Sequence, residues 1–252
     1  VLADDLLALA VQAALAAGAG IAEAIPHHIE TKSTSTDMVT EVDRASETQI
    51  VAMLRAARPD DGVLGEEGAL TPGTSGVRWI IDPLDGTTNF LYRYPAYAVS
   101  IAAEVDGDVV AGAVHDIVHA ETFTASKGGG SFCNGVPLRV AGAPSLATAL
   151  IGTGFSYDPH RRADQGATFA RLIASVRDIR RSGSAALDQC WVALGRLDGY
   201  YEAALAPWDV AAARLVASEA GAWVGDVGDT SVAVVPQLAD EFVALLRNAI
   251  AP

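Results

Sequence analysis

A chain of 252 residues, half of them hydrophobic but only 6% aromatic, can bury a large core built from small and aliphatic side chains. Its 31 acids against 17 bases leave a net charge of −14, which repels nucleic acid and anionic membranes and argues against both as partners. An anionic substrate is repelled too, unless a metal ion inverts the local field.

Leu2, Leu6, Leu9 and Ala13 recur at helical spacing and predict a first helix through about Ala24, stopping before Pro26. Gln12 and Glu23 interrupt its apolar run, so no membrane-spanning stretch is expected. Asp4 and Asp5 stand where a secretory signal carries basic residues. The first residue is Val1 rather than methionine, so further N-terminal residues are expected. A second helix is predicted from near Asp43 to Ala57, with Ile50, Met53, Leu54 and Ala57 on one face, ended by the turn Pro59-Asp60-Asp61-Gly62. Val63-Leu64-Gly65 reads as a short strand feeding Glu66 and Glu67. Residues 69–77, rich in Gly, Thr and Ser, read as a loop.

Trp79-Ile80-Ile81 then runs straight into Asp82-Pro83-Leu84-Asp85-Gly86-Thr87-Thr88-Asn89-Phe90. This pattern predicts a buried strand ending at Asp82, a rigid turn, and a helix starting near Gly86. Two carboxylates thus stand beside free N–H groups at a helix start, where cations and a phosphate can meet. Residues 96–125 read as antiparallel strands, with Asp106-Gly107-Asp108 and Asn134-Gly135 as hairpin turns. Gly128-Gly129-Gly130 lacks the Gly-x-x-x-x-Gly-Lys of a phosphate loop and reads as a turn. Strands near 148–153, 178–181, 199–203 and 231–235 alternate with helices near 162–176 and 184–196, one opened by Pro207, and one at the C-terminus. That alternation predicts layered α/β structure. A soft subdomain boundary falls near 140–146 within a single domain spanning 1–252. Arg161-Arg162 and Arg180-Arg181 read as surface or interface doublets, and Cys190 and Trp191 as core. Cys133 and Cys190 form no metal pattern and fit a reduced, cytoplasmic compartment.

Four acids share one position type, the end of a strand or the start of a helix: Glu66, Asp82, Asp85 and Asp209. Asp82 directly follows Trp-Ile-Ile and should be buried, where a carboxylate needs a partner. If the four converge at roughly 5 Å, each pair repels by about 3 kcal/mol at an effective dielectric of about 20. Two divalent cations would cancel that charge and leave positions for water and phosphate. All-oxygen ligands suit Mg2+ or Mn2+ rather than zinc, and the five histidines (His27, His28, His115, His119, His160) lie outside these motifs.

Asp37-Met38-Val39-Thr40-Glu41-Val42-Asp43, Gly65-Glu66-Glu67-Gly68, the run Asp82–Phe90, and Trp208-Asp209 followed by Glu219-Ala220-Gly221 stand in this order. With them the chain resembles the inositol monophosphatase family of magnesium-dependent, lithium-sensitive phosphatases, from Lys32 to the C-terminal helix. The resemblance implies an αβαβα sandwich and, as in the family, a homodimer. It implies a first metal on Glu66, Asp82 and the carbonyl of Leu84, a second on Asp82, Asp85 and Asp209, and a weaker third ion near Glu66. Gly86 and Thr87 would offer N–H groups to phosphate. Thr87 with Asp43 would orient the attacking water, and Lys32 would lie on a mobile loop over the metals, followed by Thr34 and Ser35. Asp85, Gly183, Ser184, Ala185, Glu202 and Asp209 would contact the ring of a small phosphorylated metabolite. The segment Gly225–Thr230 and the loop at 69–77 are shorter than the family's.

A phosphatase with an aspartyl nucleophile in Asp-x-Asp-x-Thr is rejected, because Asp82-x-x-Asp85-x-Thr87 is one residue too long. Histidinol-phosphate, fructose-1,6-bisphosphate and 3′-phosphoadenosine phosphatases share the fold. Asn89 closing Gly-Thr-Thr-Asn, Thr88 where histidinol-phosphate enzymes more often carry Lys, and Glu202 lean towards inositol phosphate. A non-catalytic protein-binding role is the alternative of another class, and no metal ligand is missing to favour it.

Overall fold

The computed structural model describes residues 2–25, 29–32, 38–142 and 145–250. His27, His28, Thr34, Ser35 and Asp37 therefore lie outside the described residues. Helix α1 (Leu2–Glu23) is followed by the antiparallel pair β1 (Ile29–Thr31) and β2 (Met38–Thr40), then by helix α2 (Glu41–Ala57). Strands β3 (Gly62–Gly65), β4 (Leu70–Thr71) and β5 (Val77–Asp85) lead into the short helix α3 (Thr87–Tyr92). Strands β6 (Ala98–Val105), β7 (Asp108–Asp116), β8 (Glu121–Ser126), β9 (Gly130–Cys133) and β10 (Val136–Pro137) complete a mixed sheet of order β10-β9-β8-β7-β6-β5-β3-β4. The second half runs β11 (Leu150–Thr153), α4 (Pro159–Leu172), β12 (Asp178–Arg180), α5 (Ala185–Leu194) and β13 (Gly199–Ala203). It continues with α6 (Pro207–Glu219), β14 (Trp223–Val227), β15 (Thr230–Val234) and α7 (Ala239–Ile250), and its sheet has the order β12-β11-β13-β15-β14.

Both faces of the larger sheet are covered, which explains the unbroken apolar run before Asp82. Trp79, Ile81 and Ile101 point towards Leu6, Ala13 and Ile21 of α1 and Ile50 and Leu54 of α2. Ile80, Ala102, Val114 and Phe123 point the other way, onto Leu187 and Cys190 of α5 and Ala213 and Val216 of α6. Val192 of α5 meets Tyr200 of the second sheet, whose far face packs with Leu172 of α4 and Phe242 and Leu246 of α7. The result is the αβαβα sandwich expected.

Several local expectations need correction. Helix α1 is, by length and composition, apolar enough to cross a membrane, so Gln12 and Glu23 do not break its run. Here it is an alanine-rich core helix, with Leu6, Ala10, Ala13, Ala14, Ala17 and Ile21 buried. Helix α2 starts two residues before Asp43, because Thr40 caps it: the Thr40 side chain accepts from Val42 N and Asp43 N, and the Asp43 carboxylate reaches back to Thr40 N. Strand β5 does not stop at Asp82 but continues to Asp85, with a register shift between the two acids. Residues 70–71 form a strand within the expected loop because they pair with Val63 and Leu64. Residues 225–227 belong to β14, a hairpin partner of β15, rather than to a loop.

Candidate active site

Strand pairing brings the first two acids together. Strand β3 runs parallel to β5 with Gly65 beside Ile81, so Glu66 and Asp82 leave neighbouring strands at the same end. The amide of Glu66 donates to Ile81 O at 3.2 Å, which fixes that exit. Helix α2 braces both loops with three buried polar residues on one face, Asp43, Ser46 and Glu47. The Ser46 hydroxyl donates to Pro83 O at 2.8 Å, and the Glu47 carboxylate accepts from Glu67 N at 2.9 Å and Ala69 N at 3.0 Å. A Cβ on Gly65 would lie 2.1 Å from Glu47 Oε2, so that loop needs glycine. Ser46 and Glu47 were missed by sequence reasoning. Their signal was a polar i, i+3, i+4 pattern that includes Asp43, in a helix expected to show only an apolar stripe.

Past the bulge, the Asp85 carboxylate accepts from the Ser184 hydroxyl at 2.6 Å and from Ala186 N at 2.8 Å, at the start of α5. Ser184 also caps α5 by accepting from Leu187 N. Asp209 lies in the first turn of α6, with Oδ2 accepting from Ala206 N at 2.7 Å. Gly86 (φ 90°) turns the chain into α3, and a Cβ there would lie 2.8 Å from Ala96 O. Asn89 ties this turn to the second half, its amide donating to Ala96 O and Ser182 O. Thr87 donates its hydroxyl to Asp43 Oδ1 at 2.7 Å, with Leu84 O also near at 3.1 Å. Asp43 Oδ2 is held by Thr40 N at 2.9 Å and the Thr40 hydroxyl at 2.5 Å.

A cavity of about 290 Å³ is lined by Glu66, Asp82, Leu84, Asp85, Gly86, Thr87, Gly183, Ala185, Glu202 and Asp209, so most of the expected site residues share one space. That volume lies at the small end for ligand sites and suits a small metabolite. Asp43 and Ser184 do not line it; they stand behind Thr87 and Asp85. Lys32 does not line it either, and its ammonium bridges Glu66 at 2.8 Å and Glu67 at 2.5 Å. Arg161 and Arg181, read from sequence as surface or interface residues, do line the cavity. Doublets of arginine carry no periodicity that tells a cavity wall from solvent.

Electrostatics sets this cavity apart. Burial pushes the Asp82 carboxyl well up, and Glu66, Asp85 and Asp209 push it further. Burial and Asp85 likewise raise Asp209. Asp85 rises through burial to about 6, although the Ser184 and Ala186 hydrogen bonds oppose the rise. Glu202 rises through burial to about 7 against the Tyr200 hydroxyl, which donates to it at 2.7 Å, and against Arg181. Burial alone would lower Lys32, but Glu66 and Glu67 outweigh it and hold the ammonium charged.

Among the described residues no three His, Cys, Asp or Glu side chains form a ready-made ligand shell. Each acid instead meets a donor of the protein: Lys32 for Glu66, Leu84 N for Asp82, Ser184 and Ala186 for Asp85, and Ala206 for Asp209. The donor set nevertheless fits a hard dication. It is all oxygen, it shares one cavity, and the burial and mutual repulsion that raise Asp82 and Asp209 are what a divalent charge relieves.

An αβαβα frame with acids gathered where strands end and helices begin defines the class, and the sequence model of the inositol monophosphatase family matches residues 2–250. The chain belongs to that family of phosphatases. Among its relatives, the inositol-1-monophosphatase of Mycobacterium leprae is 46% identical over 243 residues, which cover 89% of this chain and 84% of that protein. The Nus factor SuhB of Pasteurella multocida is 42% identical over 228 residues, covering 88% and 85%. Of solved structures, the extragenic suppressor protein SuhB of Bartonella henselae superposes with a TM-score of 0.91 at 36% identity, covering 96% of this chain and 98% of that one. Mycobacterium tuberculosis SuhB superposes at 0.86 and 41%, covering 98% and 97%.

Proposed function

We propose that this protein hydrolyses inositol 1-phosphate, or a closely related phosphate monoester, to the free cyclitol and phosphate with Mg2+, Mn2+ being a possible substitute. The observation that carries the reading is the gathering of Glu66, Asp82, Asp85 and Asp209 in one cavity beside the Thr87–Asp43 pair. Glu66, Asp82 and the Leu84 carbonyl would hold a first ion and Asp82, Asp85 and Asp209 a second, with a weaker third near Glu66. Bound Mg2+ supplies charge neutralisation at the phosphate and makes water a stronger nucleophile.

The chain's own residues do the rest. Asp43 accepts the Thr87 hydroxyl hydrogen bond, so the Thr87 oxygen keeps its lone pairs for a water hydrogen and aims that water at phosphorus. N–H groups of Gly86 and Thr87 hold the phosphate at the start of α3. Asp85, Gly183, Ala185, Glu202 and Asp209 face the ring of the substrate, and Ser184 positions Asp85. Phosphoryl transfer of this kind depends on positioning and charge rather than on a covalent protein group. The attack is direct and in line, so an aspartyl-phosphate trapped during turnover would contradict it. We expect a homodimer in the cytoplasm.

The test is phosphate release with Mg2+ from inositol 1-phosphate, histidinol phosphate, fructose 1,6-bisphosphate and 3′-phosphoadenosine 5′-phosphate. Fastest release from inositol 1-phosphate supports the reading, and preference for another compound replaces the substrate while keeping the chemistry. A second, non-catalytic role is favoured by relatives that bear the name Nus factor SuhB. Rescue of a deletion phenotype by an inactive Asp82→Asn variant would support it.

A further inference from the structure

A second cavity, of about 530 Å³, lies beside the catalytic one, between α4 and the ends of β13 and β15. Side chains shorten along β13, where Tyr201 and Ala203 share a face, and α4 contributes only Ala167 between its polar residues, so helix and sheet do not close on each other. Tyr201, Thr153 and Thr230 form its buried floor. The Tyr201 ring is set edge-on against Phe242 of α7, and its buried hydroxyl makes no hydrogen bond. The Thr153 hydroxyl stands near it but donates its own proton to Tyr201 O at 2.9 Å. A buried hydroxyl without a partner costs stability, and a ligand that accepts its proton recovers that cost. The rim sets Asp164 and Asp229 against Arg161 and Arg171, an even balance in a chain whose net charge is −14. Among the described residues neither of those two carboxylates makes a hydrogen bond or ion pair.

We propose that this second cavity binds an uncharged glycoside carrying a planar ring, a nucleoside or an aryl glycoside, and that its occupancy is felt in the catalytic cavity. Its volume falls within the range of small-molecule sites and exceeds the 290 Å³ of the catalytic cavity. A ring nitrogen or a glycosidic oxygen would accept the Tyr201 proton, and the methyl groups of Ala167, Ala203 and Ala204 would cover the ring. Sugar hydroxyls would donate to Asp164 and Asp229, as ribose hydroxyls do to carboxylates elsewhere. The balanced rim offers no net attraction to an anion, which favours the uncharged ligand. Gln165 is the wall between the two cavities. Its Oε1 accepts from Ser156 N at 2.7 Å and its Nε2 donates to Ala203 O at 3.2 Å. Gln165 lines the second cavity, Ser156 the catalytic one, and Ala203 both. Arg162, also on α4, donates to Ser156 O at 2.8 Å. A ligand wedged between α4 and β13 therefore pulls on the loop at 154–158, which borders the catalytic cavity, through a continuous set of hydrogen bonds.

Isothermal titration calorimetry with adenosine and with phenyl β-glucoside reads binding without turnover and tells the two sources of this chemistry apart. The wild type should bind at least one of them. Ala167→Trp fills the cavity from an exposed helix position and should abolish binding, with a thermal melt showing that the variant is folded. Tyr201→Phe should weaken binding about fivefold, yet melt no lower than the wild type, because its hydroxyl has no partner to lose. In steady-state kinetics on inositol 1-phosphate with Mg2+, the bound glycoside should raise KM about fivefold with kcat unchanged, and Ala167→Trp should be blind to it. Absence of binding by both probes overturns the site. Binding undiminished in Ala167→Trp and in Tyr201→Phe puts the ligand elsewhere and overturns it too. Binding that Ala167→Trp abolishes, with wild-type KM unmoved, overturns the coupling. Should Ala167→Trp not fold, Tyr201→Phe decides. A protein that hydrolyses no phosphate monoester sinks the proposed function, while the calorimetry still decides the site.

Discussion

Asp43 has two carboxylate oxygens and both are engaged, Oδ2 by Thr40 and Oδ1 by Thr87. Asp43→Asn keeps the volume but can present an N–H to Thr87, which reverses the hydroxyl and turns its lone pairs away from the cavity. We expect kcat to fall about 10²–10⁴-fold, the range for a misplaced proton-transfer partner, with KM little changed; steady-state kinetics measures both. Ser184 does two jobs with one oxygen, capping α5 and donating to Asp85. Ser184→Ala should lower stability by about 1 kcal/mol through the lost cap. It should also let the Asp85 carboxyl rise above its value of about 6, because the Ser184 hydrogen bond is the largest of those that oppose burial there. Thermal melts and an NMR titration of the metal-free protein check the two effects separately.

At the scale of elements, helix α1 sits close enough to β7 that a Cβ on Gly18 would stand 2.5 Å from His115 Cδ2. That ring is buried and tethered through Nδ1 to the Thr122 hydroxyl at 3.0 Å, so it cannot swing clear. Alanine gains about 1 kcal/mol over glycine in a helix, whereas forcing a methyl into a packed core costs about 1–3 kcal/mol. Gly18→Ala should therefore destabilise, while Gly166→Ala in α4, where a Cβ meets nothing, should stabilise by about 1 kcal/mol. Denaturant melts of the two variants should move in opposite directions. The long elements were legible because their apolar periodicity lies within one segment, as in α1 and β5. Strands β4 and β14 were not, since two residues in a loop and a stretch containing Gly225-Asp226 become strands only by pairing with β3 and β15. The acids of the site were legible from where strands end and helices begin. The braces Ser46 and Glu47 were not read, because their partners are distant in sequence, and the arginine doublets were read only as surface, because nothing in a doublet tells a cavity wall from solvent.

Across the whole molecule, buried acid controls how stability responds to pH and metal. Asp85 at about 6, and Glu202 and Glu67 at about 7, all lie above the 3.8 and 4.5 of free carboxyls, burial being the largest cause in each. Between those values the folded state binds more protons than the unfolded chain, so the metal-free protein loses stability as pH rises. Its denaturation midpoint should be higher at about pH 5 than at about pH 8. On the proposed function Mg2+ would bind the deprotonated acids, and it should then reverse that trend, adding about 2.7 kcal/mol at a hundredfold excess over Kd. Asp82→Asn removes one charge from the repelling set, so its metal-free melting temperature should equal or exceed the wild type's, and loss of activity cannot then be laid to unfolding.

That variant supplies the most direct measurement: phosphate release from inositol 1-phosphate across a Mg2+ titration, wild type against Asp82→Asn. The account predicts release that requires Mg2+ in the wild type and is abolished in the folded variant at every Mg2+ concentration. Metal-independent release, or a variant as active as the wild type, would contradict it.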